Sequence, residues 1–171
     1  MRHPGEERGG WQLGPPASLL RSNRHSLANL LVTGGQAEHR RAVALSFHES
    51  GPLRQGPFVH VDCGRDEPRL RAALEGCLAP AATDGSPNLV LAAWGGTLYL
   101  DRVTALGPAT QKLVRCALHR GLADGADAWP LRISAGDDFD PDSAVQSGRF
   151  LPELYDALDK IRVELDCPAV A

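Results

Sequence analysis

Two short stretches of this 171-residue chain combine residue types and spacings that suggest chemistry. In the first, the apolar run Leu30–Thr33 meets Gly34-Gly35 and continues through Gln36, Ala37, Glu38, His39, Arg40 and Arg41. A strand, glycines and then a helix is where a phosphate-binding loop stands. Such a loop reads G-x-x-x-x-G-K-[ST]: glycines let backbone N–H groups approach phosphates, lysine reaches the terminal phosphates, and the hydroxyl holds Mg²⁺. Here the first glycine is Gly34, but the second glycine position is His39, the lysine position Arg40 and the hydroxyl position Arg41. Both lysines of the chain, Lys112 and Lys160, lie elsewhere. In the second stretch, Gly95-Gly96-Thr97-Leu98-Tyr99-Leu100 runs into Asp101-Arg102. An apolar strand ending in an acidic pair is how nucleotide hydrolases hold Mg²⁺ and activate water. Asp101 is in place, and Arg102 stands where the second carboxylate would be.

Other reactive side chains have simpler readings. Arg40 and Arg41 at a helix start could bind an anion, because backbone N–H groups there favour negative charge. A solvated helix start is the favoured reading of the two. His39, His48 and His60 lack the spacing of a metal site, and local hydrogen bonds suit His48 and His60 better. Cys63 follows a strand and reads as a buried structural thiol rather than a nucleophile. Asp137, Asp138, Asp140 and Asp142 lack the calcium-loop spacing with its central glycine, so they read as a solvated acidic loop. No metal site is expected.

The elements that must position these residues alternate in type. Asn29–Thr33, Phe58–Asp62, Thr97–Leu100, Leu131–Ser134 and Ile161–Leu165 read as strands. Between them, 38–49, Glu67–Leu78, Pro108–Arg120 and Leu151–Leu158 carry helical spacing, and Ser18–Leu27 reads as a further short helix. Residues 79–88 are a loop by composition. Alternation of this kind predicts an α/β architecture around a parallel sheet of about five strands flanked by helices. Residues 1–17, rich in glycine and proline, read as a flexible leader, and 18–171 as a single domain.

Composition excludes several classes. With 43% hydrophobic and 23% charged residues, the chain is an ordinary globular protein rather than a disordered one. Its longest apolar runs, such as Leu89–Trp94, are too short to span a bilayer. The first ten residues lack an apolar secretory core, and the four cysteines lack paired spacing, so a cytoplasmic location with reduced thiols is expected. Residues 1–60 carry a balance of +3 and residues 121–171 a balance of −7. An acidic C-terminal third disfavours DNA, because phosphate binding needs clustered basic residues.

Taken together and in order, the motifs resemble the AAA+ central domain of sigma-54-dependent activators, the bacterial enhancer-binding proteins. Leu-Leu-Val-Thr-Gly (30–34), His48, Ser50, Gly56-Pro-Phe-Val (56–59) and Cys63 match that family's V-L-I-T-G-E-S-G-T-G-K-E, its Ile-His pair and its G-P-F-V-x-V-N-C. Gly95–Asp101 matches its G-G-T-L-F-L-D-E, and Gln111–Arg115 its Q-x-x-L-L-R. Arg132–Ala135 stands near its strand ending in A-T-N. Gly148–Phe150, Glu153–Tyr155 and Leu158 resemble its G-x-F-R-x-D-L-Y-Y-R-L. The resemblance implies a P-loop NTPase-like AAA+ core.

The departures bear on activity. Relative to the family, His39 and Arg40 replace the loop glycine and lysine, Arg102 the Walker B glutamate, and Gly136 the sensor asparagine. Leu151 and Ala157 stand where arginines reach a neighbouring subunit's nucleotide. The G-A-F-T-G-A loop that engages sigma-54 is missing between Cys63 and Gly95, and the sequence ends before the helical lid. The resulting expectation is a pseudo-ATPase without catalytic residues or required cofactor, lacking the lid, that works through a protein partner, either an AAA+ or a signalling protein. The alternatives are an ATP-binding sigma-54-interacting transcriptional regulator and an anion- or nucleotide-sensing module without turnover.

Overall fold

The computed structural model describes residues 17–79, 87–121 and 130–166. Its elements run α1 (Ala17–Asn23), β1 (Leu30–Gly34), α2 (Ala37–Ser50), β2 (Phe58–Asp62), α3 (Cys63–Leu78), α4 (Leu89–Ala92) and β3 (Thr97–Asp101). A 3-10 turn at Val103–Ala105 precedes α5 (Pro108–Gly121), β4 (Arg132–Asp137), α6 (Asp142–Gln146), α7 (Pro152–Leu158) and β5 (Ile161–Leu165). The five strands form one parallel sheet in the order β2-β3-β4-β1-β5. The expected leader at 1–17 lies outside the described residues except for Ala17, which opens α1.

Burial follows strand position. β1, β3 and β4 are buried at every residue, whereas the edge strands β2 and β5 are mostly half-exposed. A parallel sheet covered on both faces requires this, and it explains why the central strands read as continuous apolar runs. Side-chain alternation sends Leu30, Val32, Tyr99 and Val163 to one face, against Val43, Ala44 and Phe47 of α2. Leu31, Leu98, Leu100 and Ile133 face the other way, against Leu70 and Leu74 of α3, Val114 of α5, and Leu154 of α7.

Three differences from the expected elements have local causes. Helix α3 starts at Cys63 rather than Glu67, because the Asp62 carboxylate accepts from the Gly64 N–H and caps it, and the helix continues past Pro68. Asn88, assigned to a loop, accepts from the N–H groups of Val90 and Leu91 and so starts the single turn of α4. The acidic loop contains the short α6. Buried Gln111 then ties α5 to the chain ahead of α7. Its amide donates to the carbonyls of Leu106 (2.7 Å) and Arg149 (2.9 Å), and its oxygen accepts from the Leu151 N–H (2.8 Å). Leu151 and Ala157 pack against the apolar core there, as half-buried supports.

Candidate functional site: an arginine in the phosphate loop

The candidate residues converge at the C-terminal edge of the sheet, where ligands bind in open α/β folds. β1 ends in Gly34 and Gly35, both with positive φ (78° and 61°). Neither has room for a side chain: a Cβ on Gly34 would lie 2.3 Å from the Leu165 carbonyl oxygen of β5. α2 then begins at Ala37, so the Glu38 and His39 positions of the expected loop are already helical.

The first turn of α2 places Arg40 beneath the loop, fully buried. Its guanidinium meets five acceptors for the five N–H donors it carries. Nε donates to Asp101 Oδ1 (2.7 Å) and Nη2 to Asp101 Oδ2 (3.0 Å), while Nη1 donates to the carbonyls of Gly34 (3.1 Å) and Gly35 (3.0 Å). Nη2 also pairs with Asp138 Oδ1 at 2.9 Å. Burial opposes the charge, but the hydrogen bonds and charge of Asp101, with the charge of Asp138, raise the Arg40 pKa well above the usual arginine value. A phosphate cradle turns backbone N–H groups toward an anion. Here two glycine carbonyls turn toward a cation, so the loop has the opposite polarity.

Asp101 is 2% exposed and fully engaged. Besides Arg40, its Oδ1 accepts from the Tyr99 hydroxyl at 3.0 Å. Burial, and then the charge of Asp101, push the Tyr99 phenol far above its ordinary value, so it remains a donor. Both carboxylate oxygens are therefore held by a guanidinium. In this arrangement both Asp101 oxygens and the carbonyls of Gly34 and Gly35 are taken up by Arg40.

Gly136, expected at the sensor position, lies within β4 and not at its end. A Cβ there would sit 2.1 Å from the Tyr99 hydroxyl and 2.6 Å from Asp101 Oδ1. The residue that reaches the site from this side is Asp138, just past the end of β4. Sequence spacing alone misses it, because the end of β4 was expected at Ser134. The reading of the acidic loop as simply solvated is corrected in the same way. Asp138 pairs with Arg40, buried Asp137 accepts from the Thr104 N–H (2.8 Å), and Asp140 accepts from Arg162 and Tyr155.

Arg102 makes a second ion pair beside the first. It is the one non-glycine residue with positive φ (55°) among the described residues. Its Nε donates to Asp62 Oδ1 at 2.8 Å, and its Nη2 closes on the same oxygen. Partial burial acts against it, but Arg102 and the Gly64 N–H hold the Asp62 carboxyl below the usual carboxylate range. Asp62 occupies the Asn position of the family's G-P-F-V-x-V-N-C pattern. The two altered positions thus compensate each other. Arg41, by contrast, is exposed, and His39 is half-buried.

The remaining candidates separate. His48 is buried with Nδ1 2.9 Å from Thr97 Oγ1, and His60 stacks on Tyr99 with ring centroids 5.5 Å apart. Burial lowers the pKa of both, which keeps them neutral. Cys63 is buried, and its thiol pKa is pushed far above the ordinary value. Among the described residues, no three His, Cys, Asp or Glu side chains gather as metal ligands, and no helix is long and apolar enough to cross a membrane.

A strand, a glycine turn and a helix at the edge of a five-stranded parallel sheet define a P-loop NTPase-type α/β domain of AAA+ architecture. The family model of the sigma-54 interaction domain matches residues 17–164, and the chain belongs to that family. It is 32% identical over 165 residues to the response regulator protein PilR of Pseudomonas aeruginosa, covering 88% of this chain and 37% of PilR. It is 30% identical to the sigma54-dependent transcriptional activator SfnR of Pseudomonas putida, covering 82% of this chain and 41% of SfnR. The chain therefore spans about two fifths of the length of these relatives. Among solved structures, NtrX from Brucella abortus superimposes with a TM-score of 0.71 at 22% identity, covering 87% of this chain and 35% of NtrX. The P-loop NTPase domain of an Escherichia coli sigma-54 activator gives 0.63 at 18% identity, covering 89% of this chain and 92% of that domain.

Proposed function

We infer that this chain is a catalytically inactive member of its family, a regulatory module of bacterial transcription control that acts through protein contact in the cytoplasm. One observation carries the reading: the Arg40 guanidinium occupies the centre of the phosphate loop and holds both oxygens of Asp101. Phosphoryl transfer depends on positioning and charge stabilisation. Here the lysine position donates inward to a carboxylate and two carbonyls, and the water-activating position is Arg102, itself paired with Asp62. The pairing at both altered positions supports a maintained protein rather than a decaying one. A partner of the AAA+ or signalling type suits a family whose members regulate transcription, and the acidic C-terminal third makes direct DNA contact by this chain unfavourable.

The test is phosphate release from Mg·ATP by the purified chain. No turnover above background is expected. Turnover abolished by Asp101→Ala would overturn the reading.

Family membership equally favours a second reading, an ATP-binding sigma-54-interacting regulator, since SfnR is by name a sigma54-dependent transcriptional activator and PilR a response regulator. In that reading Arg40 would have to leave Asp101 when nucleotide arrives. A third reading, an anion- or nucleotide-sensing module, would use Gly34–Arg41, of which Arg41 is exposed.

A further inference from the structure

Phe139 is the most exposed large apolar side chain among the described residues, with 72% of its surface open to solvent. It lies in the segment between β4 and α6, and the residues on either side of it are tied down. Asp137 accepts from the Thr104 N–H (2.8 Å), and Asp138 pairs with Arg40 Nη2 at 2.9 Å. Asp140 accepts from Arg162 Nη1 (2.7 Å), the Tyr155 hydroxyl (3.0 Å) and the Asp142 N–H (3.0 Å). Buried Pro141 follows at once.

One exposed apolar side chain is ordinary in itself. Two features set this one apart. The first is preorganisation: an aromatic ring with two side-chain torsions, on backbone anchored from both sides, loses little freedom on contact, as interface anchors do. The second is charge. The side chains of Asp138 and Asp140 are 51% and 47% exposed, and Glu164, joined to Asp140 through Arg162, is 71% exposed. Asp142 is exposed as well. The two cations among them are turned inward: Arg40 is buried and Arg162 is 25% exposed, and both are already paired. An aromatic ring therefore stands within a negative rim. The Arg40–Asp138 pair ties this surface to the phosphate loop, because the arginine that closes the loop also anchors one side of Phe139.

We propose that Phe139 and its carboxylate rim are a docking surface for a partner protein that offers an apolar recess bordered by arginine or lysine. The proposal rests on the reading of the chain as a module acting through protein contact, and names the surface that makes the contact. The ring supplies affinity, and the rim supplies encounter rate and selection against acidic surfaces.

The test places photoreactive p-benzoylphenylalanine at position 139 of the full chain in bacterial cells and maps the cross-linked peptide by mass spectrometry. The same replacement of Arg69 on α3, whose side chain is 76% exposed, is the control. An adduct specific to position 139 is expected, its mapped segment apolar and with more Arg and Lys than Asp and Glu. Neutralising the rim with Glu164→Gln and Asp142→Asn, both at exposed positions, should lower its yield at least about threefold, since rim charges act on encounter. No adduct beyond that of the control, an acidic mapped segment, or a yield indifferent to the neutralised rim would each overturn the proposal. Cross-linking to a second copy of this chain would overturn it too, making the surface one of self-association. An adduct as expected from a chain that hydrolyses ATP would refute catalytic inactivity and leave the docking surface standing, so the two failures are distinguishable.

Discussion

Replacing Arg40 by methionine tests whether its guanidinium is a structural part of the loop. The substitution keeps an unbranched apolar stem, two atoms shorter, and removes the four hydrogen bonds and the ion pair with Asp138. Asp101, 2% exposed, would keep only the Tyr99 hydroxyl, and the carbonyls of Gly34 and Gly35 would lose their shared donor. Asp138 would lose little, because half of its side chain is exposed and can be rehydrated. Breaking a buried pair by removing one partner costs on the order of 3–5 kcal/mol. For a domain of this size that corresponds to roughly 6–20 °C in Tm. Arg40→Lys should recover only part of the loss, since an ammonium cannot bond both Asp101 oxygens and both carbonyls in that planar geometry. Asp138→Asn should cost less than about 1 kcal/mol. Urea unfolding followed by circular dichroism reads all three. A loss below about 1 kcal/mol for Arg40→Met, given the 3–5 kcal/mol typical of a broken buried pair, would refute the assignment and leave Arg40 free for a ligand.

Three further outcomes are expected. His48 and His60 have lowered pKa values, so below pH 6.5 the unfolded chain takes up protons that the folded chain does not. Stability present above pH 6.5 should therefore fall as the pH drops from there toward the folded-state values, and His48→Gln should flatten the slope in urea melts. In a Cys167→Ser background, a thiol reagent should label exposed Cys116 in the native protein and buried Cys63 only on unfolding, because the thiolate is the reactive form. Gly136→Asn, which installs the family's sensor side chain at the position sequence spacing suggested, should destabilise by about 1–3 kcal/mol as overpacking does. The cause would be its Cβ against the Tyr99 hydroxyl and Asp101.

Much of the fold was legible because burial and sequence pattern agree. β2 and β5 came out at their expected bounds, and the central strands to within a few residues, since a doubly covered parallel sheet needs uninterrupted apolar runs. The site was legible only as a set of positions. Arg40, Asp101 and Arg102 could be found by register with the family pattern. The spacing of Gly34 to Arg41 says nothing about which way the loop's carbonyls point, and that direction decides between an anion cradle and a cation cage. Asp138 was missed for a related reason: polar residues at a strand end look like loop, and only the buried cation opposite shows what this one does. Two pairs of opposite charges, Arg40–Asp101 and Arg102–Asp62, were each visible as residues, but the sheet brings them together across 61 and 40 positions of sequence.

Calorimetric titration of the wild-type chain with Mg·ATP and Mg·ADP tests the closed phosphate loop most directly. With Arg40 held by Asp101, Gly34 and Gly35, no saturable binding is expected up to millimolar nucleotide. Saturable micromolar binding that is lost in Asp101→Ala would contradict it, and would mean that the guanidinium yields its place to phosphate.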